Sequence, residues 1–225
     1  MSRHPSESPR QIDWHGVLLP PEQLNEDWVR EGDNLADAAR DADWRRVFSI
    51  LDDSNIPIAN AWRHGGSSWF TPLHQAAWHG ASERVVTELI ARGAWRALPD
   101  SRRRRPVDVA RERPADHLLD VLTPTFSESI SERGALAMMS RLSDLVAEAA
   151  RTAGVSAPVR NLEVMCLAER GDAVWFPIPG MYGGFLSQLH KGRLHVESWS
   201  RVVGGSGRAY VITADRTTLV DEGFV

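Results

Sequence analysis

The chain has 225 residues, 42% hydrophobic and 25% charged, which is the balance of a globular protein, and its net charge of −4 supplies no global basic field for nucleic acid. A single cysteine, Cys166, excludes an internal disulfide framework and any cysteine-built zinc cage, and no metal or cofactor motif is present. No apolar stretch reaches the length of a membrane span, and Met1 to Arg10 lacks the apolar run of a signal peptide, so the expectation is a cytoplasmic protein without membrane or nucleic-acid partners.

Residues 1–10 are polar and carry Pro5 and Pro9, as a flexible tail does. In 11–30 apolar residues return (Ile12, Trp14, Val17, Leu18, Leu19), Pro20-Pro21 interrupts, and Leu24, Trp28 and Val29 recur at helical spacing. Leu35 to Arg40 followed by Val47 to Leu51 has the pattern of two short helices. The same pattern returns 38 residues later, with Leu73 in the place of Leu35 and Leu89 in that of Leu51, and in weaker form 34 residues after that, from Pro106 to Leu122. Charge changes along these copies. Between Pro21 and Asp53 ten acidic residues face four basic ones, whereas from Arg92 to Arg113 eight arginines face three acids.

The middle copy reads Thr71-Pro72-Leu73-His74-Gln75-Ala76-Ala77-Trp78-His79-Gly80, then Val85-Val86, then Leu89-Ile90-Ala91-Arg92-Gly93-Ala94. Thr71 can cap a helix that starts on Pro72, Ala76 and Ala77 permit close packing, Gly80 supplies the turn, and Gly93 ends the second helix. This segment resembles an ankyrin repeat. The resemblance covers about residues 30–122 and implies an α-solenoid of about three ankyrin repeats, with 11–30 as a cap on the first and a lengthened connection between Leu51 and Thr71. It also implies binding residues on one face, namely Arg40 and Asp41 in the first repeat, Trp69, Phe70, Trp78 and His79 in the second, and Glu112 and Arg113 in the third. Thr71, Pro72, Leu73, His74, Gly80 and Gly93 are the motif's structural residues, His74 as an internal hydrogen-bonding group.

Beyond Thr123-Pro124 the pattern changes. Ser129 with Glu132 reads as a capping box for a helix running to about Thr152, with apolar positions Ala135, Met138, Met139, Leu142, Leu145, Val146 and Ala149 on one face. Leu162 to Leu167, Ala173 to Phe176, Leu194 to Val203, Arg208 to Thr213 and Thr218 to Val220 read as short strands, with Gly204 to Gly207 as a hairpin connection and Pro177 to Phe185 as a loop. The expectation for 123–225 is therefore an α+β domain, one helix on a mainly antiparallel sheet of about five strands. Cys166 would be a buried small side chain on the first strand.

Two functions remain open, beside a third reading in which 123–225 is only a cap and a dimerisation surface through the Pro177 to Phe185 loop. In one the chain is a bacterial protein-binding module; its basic residues are arginine except for Lys191, which goes with GC-rich bacterial genomes, and the ankyrin resemblance implies a protein partner, with small bacterial ankyrin proteins resembling immunity or antitoxin partners. The alternative is an enzyme whose site lies on the strand from Leu194, where alternation places His195, Glu197, Trp199 and Arg201 on one face. His195 or Glu197 would be acid or base, Arg201 would bind an anion, and the repeats would dock the substrate. The sequence holds no G-x-x-x-x-G-K-S/T, G-x-S-x-G or H-E-x-x-H.

Overall fold

The computed structural model describes residues 12–16, 18, 26–155, 157–200 and 206–223. The tail reading for 1–10, the candidate Arg201 and the hairpin residues Gly204 and Gly205 lie outside the described residues. The chain divides into two compact units, one spanning 19–125 and the other joining the described residues up to Leu18 to those from Phe126 onward.

The first unit consists of helices in pairs: α1 (Glu26–Arg40) with α2 (Trp44–Asp53), α3 (Pro72–His79) with α4 (Glu83–Ala91), and α5 (Pro106–Arg111) with a single 3₁₀ turn and α6 (Leu119–Leu122). The first helices of the pairs pack side by side, α1 against α3 and α3 against α5. Small residues make this possible: Ala38, Ala39, Ala76, Ala77 and Ala110 are all buried, and Leu35, Leu73, Val86, Leu89, Val109 and Leu118 fill one continuous core. Each α3 boundary has a cause. Thr71 is the N-cap, Pro72 occupies the first turn where no N–H is needed, and Gly80 at φ 58° ends the helix in the left-handed region. In α5 the cap position is Arg105, and the Asp108 carboxylate accepts the Arg105 backbone N–H at 2.9 Å.

The long connection before Thr71 is tied down on α1. His64 packs edge-on against Trp28 at 4.6 Å, its Nδ1 lies 3.0 Å from Asp33, and Ile58 and Ala61 are buried. Asn60 donates to the Gly93 carbonyl and accepts from the Trp95 N–H, which joins this connection to the turn after α4.

In the second unit the sheet order is β1-β2-β3-β4-β5-β6. Strands β2 (Val174–Ile178), β3 (Gly183–His190), β4 (Arg193–Ser200), β5 (Ser206–Ile212) and β6 (Thr217–Glu222) are antiparallel, and the two-residue β1 (Ile12–Asp13) adds parallel to β2. Helix α7 (Glu132–Thr152) packs against β5, and α8 (Val164–Arg170) against β3. The cap of α7 is Ser131, whose side chain accepts from the Gly134 N–H, and not Ser129. Its buried positions are Ala135, Met138, Leu142, Val146 and Ala150.

Several expectations are corrected. Of the segment 11–30 expected as a cap, Ile12–Asp13 instead pairs with β2, Trp14 is buried with its indole N–H on the Arg160 carbonyl, and Trp28 and Val29 belong to α1 itself, while residues 11, 17 and 19–25 lie outside the described residues. Leu162 to Leu167 is not a strand. Val164–Arg170 is a helix buried from Val164 to Ala168, so Cys166 is buried on α8, and an apolar run this short has no period that distinguishes the two states. Pro177 to Phe185 is not a loop either, since Pro177 and Ile178 continue β2 and Gly183 opens β3. Pro177 is accommodated because β1 reaches only Val174 and Trp175 on that side. A Cβ on Gly183 would run into the Trp199 carbonyl and one on Gly184 into the Phe176 carbonyl, so glycine here serves close strand approach.

Candidate functional site

The turns that follow α1, α3 and α5 bring residues from all three helix pairs into one strip. The His79 ring nitrogen Nε2 lies 2.8 Å from the Arg40 carbonyl, and its ring meets Trp44 edge-on at 6.4 Å. One residue earlier, Trp78 takes the Arg113 guanidinium on its face, with Cζ 3.1 Å from the ring centroid. Trp78 also meets Phe70 edge-on at 6.1 Å, Phe70 stacks on His74 at 5.3 Å, and the Arg104 guanidinium stands 5.7 Å from the Phe70 centroid. Asp41 is exposed and paired with Arg40 at 3.2 Å.

Ser67, Ser68, Phe70, Gln75, Trp78, Asp100, Ser101, Arg102 and Arg104 line a cleft of about 410 Å³ beside this strip. Its far wall is cross-linked by hydrogen bonds and ion pairs. Asp100, whose side chain is 1% exposed, accepts the Arg102 and Arg104 backbone N–H groups at 2.8 and 2.9 Å and the Arg104 guanidinium at 2.8 Å. Arg104 reaches Glu112 as well. Partial burial pulls the Arg104 pKa down, but the bonds to Asp100 and Glu112 outweigh it, so the group stays above the ordinary arginine value. The arginine run 102–105 is therefore not one solvated patch, because Arg104 is a built part of the cleft.

His74 is fully buried. Its Nδ1 accepts from the Thr71 backbone N–H and lies 2.9 Å from the Thr71 hydroxyl, and Nε2 faces the Arg104 carbonyl at 3.2 Å. His74, which completes the capping box of α3, thus also fixes the loop that carries the cleft's arginine. Leu73 is buried beneath it, and Gly93 at φ 96° closes α4. Trp69, at φ 57°, is half-buried beside Phe70.

No protein-family model and no curated protein matches this chain.

The C-terminal candidates lie elsewhere. On β4, Leu194, Val196 and Ser198 are buried while His195 and Glu197 are exposed on the outer face, opposite Gln188 and Leu186 of β3. Trp199, on the same face, stacks on Trp175 at 4.5 Å. His195 and Glu197 are thus presented as neighbours along an open sheet face, with a second imidazole, His190, 6.3 Å from His195.

Two features escaped the sequence reading. Leu145, Glu148 and Ala149 of α7, Phe185 of β3, and Arg208 and Tyr210 of β5 line a second cavity of about 480 Å³. Only the sheet register, which puts Phe185, Ser198 and Arg208 side by side, reveals it. The other is Asp100, which reads in sequence as one acid before an arginine run. Among the described residues no cluster of His, Cys, Asp and Glu could hold a metal ion, and no helix is long and apolar enough to cross a membrane.

Proposed function

We propose that the first unit is a short stack of ankyrin-type repeats and that the protein binds another protein through the strip formed by Arg40, Asp41, Trp78, His79, Glu112 and Arg113, with Trp69 and Phe70 beside it. The observation that carries this reading is Trp78. It is 42% exposed, yet its face is occupied by Arg113 and its edge by Phe70, so a large aromatic is held ready at the surface with few rotors left to freeze. Tryptophan and arginine presented this way are what interface hot spots are made of, since they bring large contact area at small entropic cost. The buried alanines and leucines beneath serve as scaffold.

The same arrangement supports binding over catalysis. The strip pairs cations with aromatics and carboxylates, and its one buried imidazole, His74, is engaged by Thr71 and the Arg104 carbonyl. The test is affinity capture from the source organism with the Trp78→Ala/His79→Ala double variant. Loss of the captured partner with only a modest fall in the thermal unfolding midpoint is the expected result. Retention of the partner removes the reading, and a large fall in the midpoint reassigns both residues to the core.

A further inference from the structure

The charges around the cleft do not balance locally, and the imbalance points to a chemistry. Asp100 and Glu112 are both engaged by Arg104, and Asp108 is engaged by Arg111 and the Arg105 N–H. These three acids are thereby engaged. Two cations on the cleft and strip keep guanidinium groups that make no ion pair among the described residues: Arg102, exposed on the cleft lip, and Arg113, whose plane lies on Trp78. Between them the Phe70 and Trp78 rings offer an apolar surface. We infer that the cleft takes an acidic segment of a partner protein, its carboxylates on Arg102 and Arg113 and one large apolar side chain against Phe70 and Trp78. This rests on the protein-binding reading of the strip and specifies its partner.

The arrangement fits such a segment in three ways. A guanidinium presents forked donors that match a carboxylate, and a guanidinium already stacked on an indole loses little further freedom on binding. The cleft volume of about 410 Å³ accommodates one aromatic side chain with flanking backbone. At the other end of the strip, Asp37 and Asp41 already neutralise Arg40 and Arg63, so a continuous polyanion such as nucleic acid gains nothing there, whereas a protein segment places its acids only beside Arg102 and Arg113.

The experiment uses the full chain and fluorescence anisotropy of a fluorescein-labelled peptide, Asp-Glu-Phe-Asp-Glu, against its amide counterpart Asn-Gln-Phe-Asn-Gln, with an oligothymidylate as the competing polyanion. The acidic peptide is expected to bind about tenfold more tightly than the amide at low salt, and this preference is expected to fade as salt screens it. Arg102→Glu with Arg113→Gln should abolish the preference, Arg102→Lys should keep most of it, and Trp78→Ala should weaken both peptides about thirtyfold. Equal binding of the two peptides, with both lost in Trp78→Ala, overturns the acidic partner and leaves the binding strip standing. Tighter binding of the oligothymidylate, or saturation by no peptide, also overturns it. The host-lysate capture judges the strip independently.

Discussion

The Arg113 guanidinium lies on the face of Trp78, 3.1 Å from the ring centroid, and so joins the turn after α5 to the last turn of α3. The contact is between two surface groups and is worth about 0.5–1 kcal/mol as a cation–π interaction. Arg113→Ala should therefore lower stability by no more than about 1 kcal/mol while it shifts the Trp78 fluorescence and frees the ring to turn. Chemical denaturation with emission spectra checks both. A loss of several kcal/mol would mean that Arg113 holds the stack together and that the exposed ring is incidental.

His74 behaves in the opposite way. It is fully buried, receives the Thr71 N–H and faces the Arg104 carbonyl, so His74→Ala leaves two backbone groups unmet and opens a cavity. A loss of about 3 kcal/mol is expected, with partial recovery in His74→Gln, whose amide can meet one of the two groups. Urea unfolding measures it, and a loss below about 1 kcal/mol would deny His74 this role.

How much of this could be read beforehand depends on the range of the interaction. The ends of α3 and α4 were legible because Thr71, Pro72, Gly80 and Gly93 act within a few residues of themselves, through a cap, a ring and two left-handed turns. The strip was named as a set of positions through the ankyrin resemblance. Its contacts were not, since whether Trp78 meets Arg113 depends on how α3 packs on α5. In the second unit the misreadings have local causes: Gly183 and Gly184 look like turn residues but serve strand approach, and the Val164 to Ala168 run is apolar on every side because α8 is buried on every side. The addition of β1 to β2 joins residues 162 positions apart, and no local pattern encodes it.

Asp100 links the stability of the first unit to the shape of the cleft. Its carboxylate takes two backbone N–H groups and the Arg104 guanidinium at 1% side-chain exposure, so Asp100→Ala leaves those donors unpaired and releases Arg104 from beside Phe70. A cost of about 3 kcal/mol is expected from breaking a buried pair on one side. Arg104→Ala should cost less, because Arg104 is partly solvated and the two N–H groups still satisfy the carboxylate. Comparing the two variants by thermal denaturation separates the contributions, and equal losses would place the whole effect in the ion pair.

Glu128 makes the second unit sensitive to acid. Its carboxylate accepts the Gly192 N–H at 2.7 Å and the Lys191 N–H at 2.8 Å, and so clamps the two-residue turn between β3 and β4. That turn has φ of 50° at Lys191 and 69° at Gly192, a left-handed pair that suits the strand twist but strains the lysine. The Gly192 bond, followed by that from Lys191, holds the Glu128 pKa below the ordinary glutamate range. A depressed folded-state pKa contributes stability that is fully present above the unfolded value of about 4.3 and is lost as pH falls through the folded value. Wild type should therefore lose part of its stability below about pH 4, and Glu128→Gln should lose less over the same interval while starting about 1 kcal/mol lower at pH 7. Denaturant unfolding at pH 7 and pH 3 gives the four values needed. Parallel pH profiles for the two proteins would show that the clamp does not depend on the charge of Glu128. Lys191→Asn, which relieves the left-handed strain, should raise the pH 7 value by about 0.5–1 kcal/mol in either background.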